Sequence, residues 1–263
     1  MTGGLFFMQA NFNISGFLKD IILPPVCVLC GRLSPAPLCG SCSCRISFLG
    51  RNVCSRCGKP LDNMPPVTGK TFAVFDKNIT SVNICNLCKI EEYHFYAARS
   101  FSLYKDTIAE LISLFKYRKY YYLKEILAGF LKQAYQAYYK NEKIDFLDTV
   151  PDYNMTDKST DDYHESNHMQ VLAQSFAQKI NIQFADNILK IKKTQRQQLL
   201  GRNQRITNIE GAFKVRDCLK VAGKNILLVD DVFTTGSTLN GISVTLKNAG
   251  AKRIYLLTLA RGA

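Results

Sequence analysis

Apolar and polar positions follow two rhythms along this chain. From Asp106 to Lys119, the residues Ile108, Leu111, Ile112 and Phe115 fall three and four apart, which predicts an amphipathic helix. A second helix is predicted over Leu123 to Tyr139, and a third from Met169 to Ile180, where Leu172, Ala173 and Phe176 share a face. Between them lie short runs rich in β-branched and aromatic residues. Arg99 to Tyr104, Phe146 to Val150, Asn187 to Ile191 and Ile254 to Leu259 read as strands. Ile226 to Val229 is a wholly apolar run, the mark of a strand buried on both faces. After it, Leu239 to Asn248 returns to helical spacing through Ile242, Leu246 and Ala249, with Gly250 placed to end the helix. Strands alternating with helices predict a parallel sheet flanked by helices, and ligands in such sheets lie beyond the carboxyl ends of the strands. Near the start, Phe12, Phe17, Leu18, Ile21 and Ile22 predict one more helix face, docked on the protein and ending before Pro24-Pro25.

Cysteine usage divides the chain. Nine of the ten cysteines fall between Cys27 and Cys88, and eight form Cys-x-x-Cys pairs: Cys27 and Cys30, Cys39 and Cys42, Cys54 and Cys57, Cys85 and Cys88. Two thiolates separated by two residues reach one tetrahedral ion, so four such knuckles predict two structural zinc sites of four cysteines each. Cys44 is a second choice for the fourth ligand of the first site. A disulfide framework is the alternative. The rest of the chain reads as an enzyme-like α/β unit of the reducing cytoplasm, which favours metal. Lys59 to Ile84 is polar and contains prolines, so a long loop is expected between knuckles, and Cys218 stands alone as a surface or packing thiol. The expected division is a module of residues 1–92, helix plus cysteine knuckles, followed by an α/β domain of residues 93–263.

Chemistry concentrates after the buried run at Ile226. Asp230 and Asp231 follow it directly, then Thr234-Thr235-Gly236-Ser237-Thr238, then the helix. Amide groups at such a turn and at a helix N-terminus face an anion, and the Thr and Ser hydroxyls add donors. The carboxylates suit sugar hydroxyls and a hard cation such as Mg²⁺. Adjacent carboxylates at a strand end have no packing advantage, which argues against an ordinary capped turn.

Charge narrows the partners without choosing among them. Lys and Arg number 34 against 21 Asp and Glu, a formal net charge of +13. That balance fits phosphate, pyrophosphate, a nucleotide or nucleic acid. Lys190, Lys192, Lys193, Arg196, Arg202 and Arg205 succeed one another with no acidic residue between, either as a solvated basic face or as a loop that closes over pyrophosphate. Asp152 to Ser166 is acidic, apolar-poor and read as loop. The run Lys116-Tyr117-Arg118-Lys119-Tyr120-Tyr121-Tyr122 has two readings: a helix end with tyrosines turned to the core, or cations and rings interleaved to hold a single strand of nucleic acid. No apolar run is long enough to cross a bilayer, and no signal peptide is expected.

The stretch from Asp230 to Thr238 resembles the signature of type I phosphoribosyltransferases, which bind 5-phosphoribosyl pyrophosphate (PRPP). By that resemblance Asp230 and Asp231 contact the ribose, and Thr234, Thr235, Gly236, Ser237 and Thr238 hold the 5′-phosphate. Further pieces resemble the ComF family of competence-associated, phosphoribosyltransferase-like proteins with an N-terminal double zinc ribbon. They are Pro24-Pro25-Val26-Cys27-Val28-Leu29-Cys30, Phe115-Lys116-Tyr117, then Thr194, Gln197, Leu200, Arg202, Arg205, Asn208 and Gly211-Ala212-Phe213, and last Leu259-Ala260-Arg261. One piece departs: where the family has Arg-Gly-Phe-Asn-Gln, this chain has His164-Glu165-Ser166-Asn167-His168.

The resemblance implies a type I phosphoribosyltransferase-like parallel sheet, Mg²⁺ accompanying PRPP, and Arg202 and Arg205 meeting the leaving pyrophosphate. It also implies a setting in DNA uptake, with single-stranded DNA and other competence proteins as partners. Mg²⁺-dependent ribosyl transfer is one expectation, and a non-enzymatic DNA-handling module on the same fold is the other.

Overall fold

The structure, a computed structural model, describes residues 25–50, 52–61, 83–151, 168–192, 209 and 211–262. The chain falls into two compact units, Met1–Ser43 and Cys44–Ala263. The expected helix before Pro24, the acidic stretch 152–166 and most of the basic segment 190–205 lie outside the described residues.

The smaller unit is built on one metal-type knuckle pair. Val26 bridges Leu33 antiparallel, and Gly31, at φ 69°, turns the chain between them. A short helix α1, Gly40–Ser43, carries the second knuckle.

The larger unit opens with a similar knuckle, where Val53 bridges Pro60 and the Gly58 N–H donates to the Cys54 carbonyl at 2.9 Å. Its partner knuckle ends in helix α2, Asn86–Ile90. The α/β part then runs β1 Ala97–Leu103, α3 Asp106–Tyr117, a 3-10 turn Tyr121–Leu123, α4 Lys124–Tyr138, β2 Phe146–Thr149, α5 His168–Ile180, β3 Ile188–Lys190, β4 Phe213–Val215, β5 Asn225–Phe233, α6 Ser237–Asn248 and β6 Arg253–Arg261. Four strands form a parallel sheet in the order β1-β6-β5-β2. The helices expected from periodicity within the described residues all form, and their apolar stripes are the buried ones: Ile108, Leu111, Ile112 and Phe115 on α3, and Leu172, Ala173 and Phe176 on α5.

The two central strands, β5 and β6, are buried on both faces, as their continuous apolar runs require. Leu239, Ile242 and Leu246 of α6 cluster with Ile226, Leu228, Ile254 and Leu256. On the other face Tyr139, the residue after α4, places its ring 5.2 Å from Tyr255 and donates to the Leu256 carbonyl at 3.0 Å.

Three elements differ from the sequence reading. β5 does not stop at Val229 but continues to Phe233, so the acidic pair is inside the strand. Pairing of Asp230 with Thr258 and Val232 with Ala260 on β6 extends it. The strand expected at 187–191 is Ile188–Lys190, and it pairs antiparallel with β4 in a separate two-stranded sheet. The tyrosines at the end of α3 divide: Tyr117, Tyr120 and Tyr122 turn outward at 65%, 40% and 54% exposure, while Tyr121 packs edge-on against Phe115 as the core reading expects.

Candidate functional site

The site is assembled at the carboxyl end of β5. Successive side chains of a strand alternate between faces, so the two carboxylates diverge. Asp231 is buried and faces the last turn of α3 and the first of α5. Lys116, near the end of α3, brings Nζ to 2.5 Å from Asp231 Oδ2. His168, the first residue of α5, holds Nε2 at 3.7 Å from the same oxygen, beyond hydrogen-bond distance. Its ring also stands edge-on to Phe115. Burial alone would raise the Asp231 carboxyl, but His168 and Lys116 outweigh it and hold Asp231 down at about 2. Lys116 is itself partly buried, which favours its neutral form, yet the Asp231 charge prevails and raises its pKa. Asp230, half-buried on the other face, accepts a 2.9 Å hydrogen bond from the Asp231 N–H.

Beyond Phe233 the chain folds into the expected cup. Gly236 caps α6 in the left-handed region at φ 78°, and the Ser237 N–H reaches Thr235 Oγ1 at 3.5 Å. A side chain here is excluded twice over, because a Cβ would also lie 2.5 Å from Phe233 Cζ. Thr235 Oγ1 and Ser237 Oγ are 2.9 Å apart, and Thr234 is exposed. The first intrahelical bond is Asn240 N–H to the Gly236 carbonyl, so the amides of the preceding turn have no carbonyl within the helix. Such a cup, at the positive end of an α6 of 12 residues, suits a phosphate dianion. From behind, the Tyr93 hydroxyl reaches the Thr235 carbonyl at 3.4 Å.

The cysteines form two clusters, Cys27, Cys30, Cys39 and Cys42, and Cys54, Cys57, Cys85 and Cys88, each with its sulfurs within 4.8 Å of one another. Sulfur pairs at 3.6 Å (Cys30 and Cys39) and 3.7 Å (Cys57 and Cys85) match the edge of a zinc tetrahedron, about 3.8 Å for Zn–S bonds near 2.3 Å. Cys42 is the buried fourth ligand of the first cluster. Cys44 is exposed and takes no part. Burial opposes ionisation of Cys27 and Cys54, but backbone N–H groups, led by those of Cys39 and Cys85, hold both thiols down at about 6. The residues fit zinc, and four sulfur ligands leave no position for substrate, so the metal's role is structural.

Of the residues expected at the site, Asp230, Asp231 and Thr234 to Thr238 are described, at the end of β5 and the start of α6, with the two carboxylates diverging. Arg202, Arg205 and the departing stretch His164 to Asn167 lie outside the described residues. Sequence reading places Lys116 at a helix end, within a piece that resembles the family, and His168 at the end of the departing stretch; it does not foresee that both face Asp231.

Two families match the chain in succession: a double zinc ribbon domain over residues 18–89 and a phosphoribosyl transferase domain over residues 170–263. "Competence protein F" of Haemophilus influenzae is 25% identical over 230 residues, 85% of this chain and 96% of that protein. "Competence protein ComFC" of Streptococcus pneumoniae is 23% identical over 251 residues, 89% of this chain and 99% of that protein. "DNA utilization protein YhgH" of Escherichia coli O157:H7 is 31% identical over a shorter span of 96 residues, 36% of this chain and 41% of that protein. Among solved structures, an allosteric regulatory enzyme of purine biosynthesis matches over 52% of this chain and 25% of its own, at 19% identity and a TM-score of 0.35. Among the described residues no helix is long and apolar enough to cross a membrane.

Proposed function

The chain belongs to the ComF family, and from that premise we propose that it binds PRPP or a related ribose 5-phosphate and serves the handling of incoming DNA in the cytoplasm. The carrying observation is the run of β5, loop and α6. It presents carboxylate acceptors and an amide cup within a few residues of each other, an arrangement that matches a sugar and its phosphate. In this reading the 5′-phosphate lies against Thr234 to Thr238, with the Thr235 and Ser237 hydroxyls as further donors. The ribose hydroxyls donate to the carboxylates of Asp230 and Asp231. Lys116 balances the charge of Asp231, and the half-buried Asp230 is the proposed oxygen donor toward a hard cation. Magnesium, when bound with PRPP, supplies charge neutralisation for departing pyrophosphate.

Ribosyl transfer would displace pyrophosphate from C1 through a cationic, oxocarbenium-like state, which calls for positioning and charge compensation more than for a general base. Arg202 and Arg205 are the expected partners of the leaving anion. The His164 departure removes a guanidinium from that region, so binding with slow transfer is the expected balance. Calorimetry with PRPP and Mg²⁺ tests the binding. Asp230→Asn with Asp231→Asn should abolish ribose recognition while weak phosphate binding survives on the backbone cup. Unchanged PRPP affinity in the double variant refutes the assignment.

A second reading, DNA handling without catalysis, is favoured by the outward tyrosines. Tyr120 and Tyr122 stack at 5.5 Å beside exposed Arg118 and Lys119, a surface suited to unpaired bases and their phosphates. Salt-titrated binding of single-stranded DNA, with and without PRPP, separates the two.

A further inference from the structure

Arg261 is buried at 5% exposure near the end of β6, and its guanidinium has three neighbours. Nη1 donates to the Cys57 carbonyl at 2.7 Å. Nη2 lies 3.6 Å from Cys57 Sγ. The guanidinium carbon stands 4.6 Å from the centre of the Phe233 ring. Among the described residues no carboxylate pairs with it. A buried guanidinium requires a compensating anion, and the anion at hand is the sulfur cluster of Cys54, Cys57, Cys85 and Cys88. Four thiolates around one divalent cation carry a net double negative charge, so the metal-loaded cluster satisfies Arg261.

The other side of Arg261 is the phosphate cup. The tip of the Phe233 ring fills the space beneath Gly236, and the Phe233 carbonyl accepts from the Gly262 N–H at 2.9 Å. A second arm starts from the same knuckle. Arg56, between Cys54 and Cys57, donates to the Tyr93 carbonyl, and the Tyr93 hydroxyl reaches the Thr235 carbonyl. The Tyr93 and Phe95 rings lie 4.8 Å apart, and Phe95 stands edge-on to Phe233. The two arms therefore meet the chain just before Gly236, at Phe233 and at Thr235. Gly58 fastens the knuckle to β1: a Cβ there would lie 2.6 Å from the Ala98 carbonyl oxygen, a separation no side chain tolerates.

We propose that Arg261 is a positioning residue that couples the second cysteine cluster to the phosphate cup, so that metal held there tightens binding of ribose 5-phosphate ligands and the bound ligand in return retards loss of the metal. The proposal rests on the ribose phosphate reading of the cup. The reciprocity is required by thermodynamics: a state in which the knuckle is closed and Phe233 supports Gly236 is favoured by both ligands, and each stabilises it for the other.

The test uses the full chain, reduced and zinc-loaded, with zinc release followed by a chromogenic chelator in excess. Magnesium-PRPP is one probe, and ribose 5-phosphate, which lacks the chelating pyrophosphate, is the other. One of the two zinc ions should leave about five- to tenfold more slowly when either probe saturates the protein, a size typical of coupling between sites. A Cys30→Ser variant, defective in the first cluster alone, should retain the slowed phase and so assign it. Arg261→Gln should abolish the protection, and Arg261→Lys, which keeps charge without the fork, should keep part of it. Absence of PRPP binding to the natural chain in calorimetry overturns the ribose phosphate reading and the coupling together. Binding without any change in zinc release overturns the coupling alone. Full protection in Arg261→Gln removes Arg261 from the role. If Arg261→Gln fails to fold, protection in the natural chain still decides the coupling, and Arg261→Lys decides the residue.

Discussion

Lys116 and Asp231, 115 residues apart, meet at 2.5 Å at the mouth of the site. The contact joins the end of α3 to the end of β5, and it makes the two adjacent carboxylates chemically unequal. Asp231 is held ionised by Lys116 and His168, whereas Asp230 is half-buried and accepts from the Asp231 N–H.

The pH dependence of stability follows from that pairing. Asp231 is at about 2 in the folded chain, against an ordinary aspartate value of 3.8. A carboxyl depressed on folding contributes stability that is complete above about pH 4 and is lost as pH falls toward 2. The contribution is on the order of 2–3 kcal/mol, because one unit of pKa corresponds to about 1.4 kcal/mol. Urea unfolding between pH 5 and 2 should show this loss, and Lys116→Ala should flatten it while lowering stability at neutral pH. An unaltered acid limb in Lys116→Ala would show that His168 alone sets the Asp231 charge.

Metal content distinguishes the neighbouring cysteines. The purified, reduced chain should carry close to two zinc ions, one for each four-cysteine cluster. Cys42→Ser should lower the count by one, and Cys44→Ser should leave it unchanged. Elemental analysis with a chelator series reads this directly.

Gly236 admits no side chain. Gly236→Ala forces φ 78° on an L-residue and drives a methyl group into Phe233. The backbone strain alone is worth roughly 1–2 kcal/mol. Binding of PRPP or ribose 5-phosphate should fall at least tenfold, because the amides that form the cup move with the turn. Calorimetry that finds native affinity in this variant would exclude the cup as the phosphate site.

Single-stranded DNA binding, if it is carried by the outward rings, should depend on Tyr117, Tyr120 and Tyr122. Each ring-to-base stack is worth roughly 1–3 kcal/mol, so the triple alanine variant should bind at least tenfold more weakly at fixed salt. Fluorescence anisotropy with a labelled oligonucleotide measures it. Equal affinity in the triple variant would send the DNA site elsewhere on this basic chain.

His164→Arg restores the guanidinium that the family pattern places there. A charge-assisted hydrogen bond of roughly 1.5–3 kcal/mol corresponds to about one to two decades in rate. Pyrophosphate release from PRPP, assayed over a panel of bases, should rise accordingly in the variant. Ordinary enzyme turnover in the natural sequence, unmoved by the change, would remove meaning from the departure.

The sequence by itself determined the helices of the described α/β part, the buried strands, both sulfur clusters and the Gly236 turn that opens α6. Each of these is written in local order. Helical stripes repeat at three and four residues, knuckle cysteines at three, and the turn needs only Gly236 and the start of α6. What only the tertiary structure decided are contacts between elements distant in sequence. Lys116 meets Asp231 because the parallel order β1-β6-β5-β2 brings the ends of α3, α5 and β5 together. β3 lies outside the main sheet because its hydrogen-bonded partner is β4, more than twenty residues on, a pairing that local pattern does not name. Cys42 prevailed over Cys44 because its sulfur converges with three others, a matter of side-chain direction that spacing does not encode. Arg261 lies 204 residues from Cys57, and only the folded sheet and knuckle place its charge between the metal cluster and the cup.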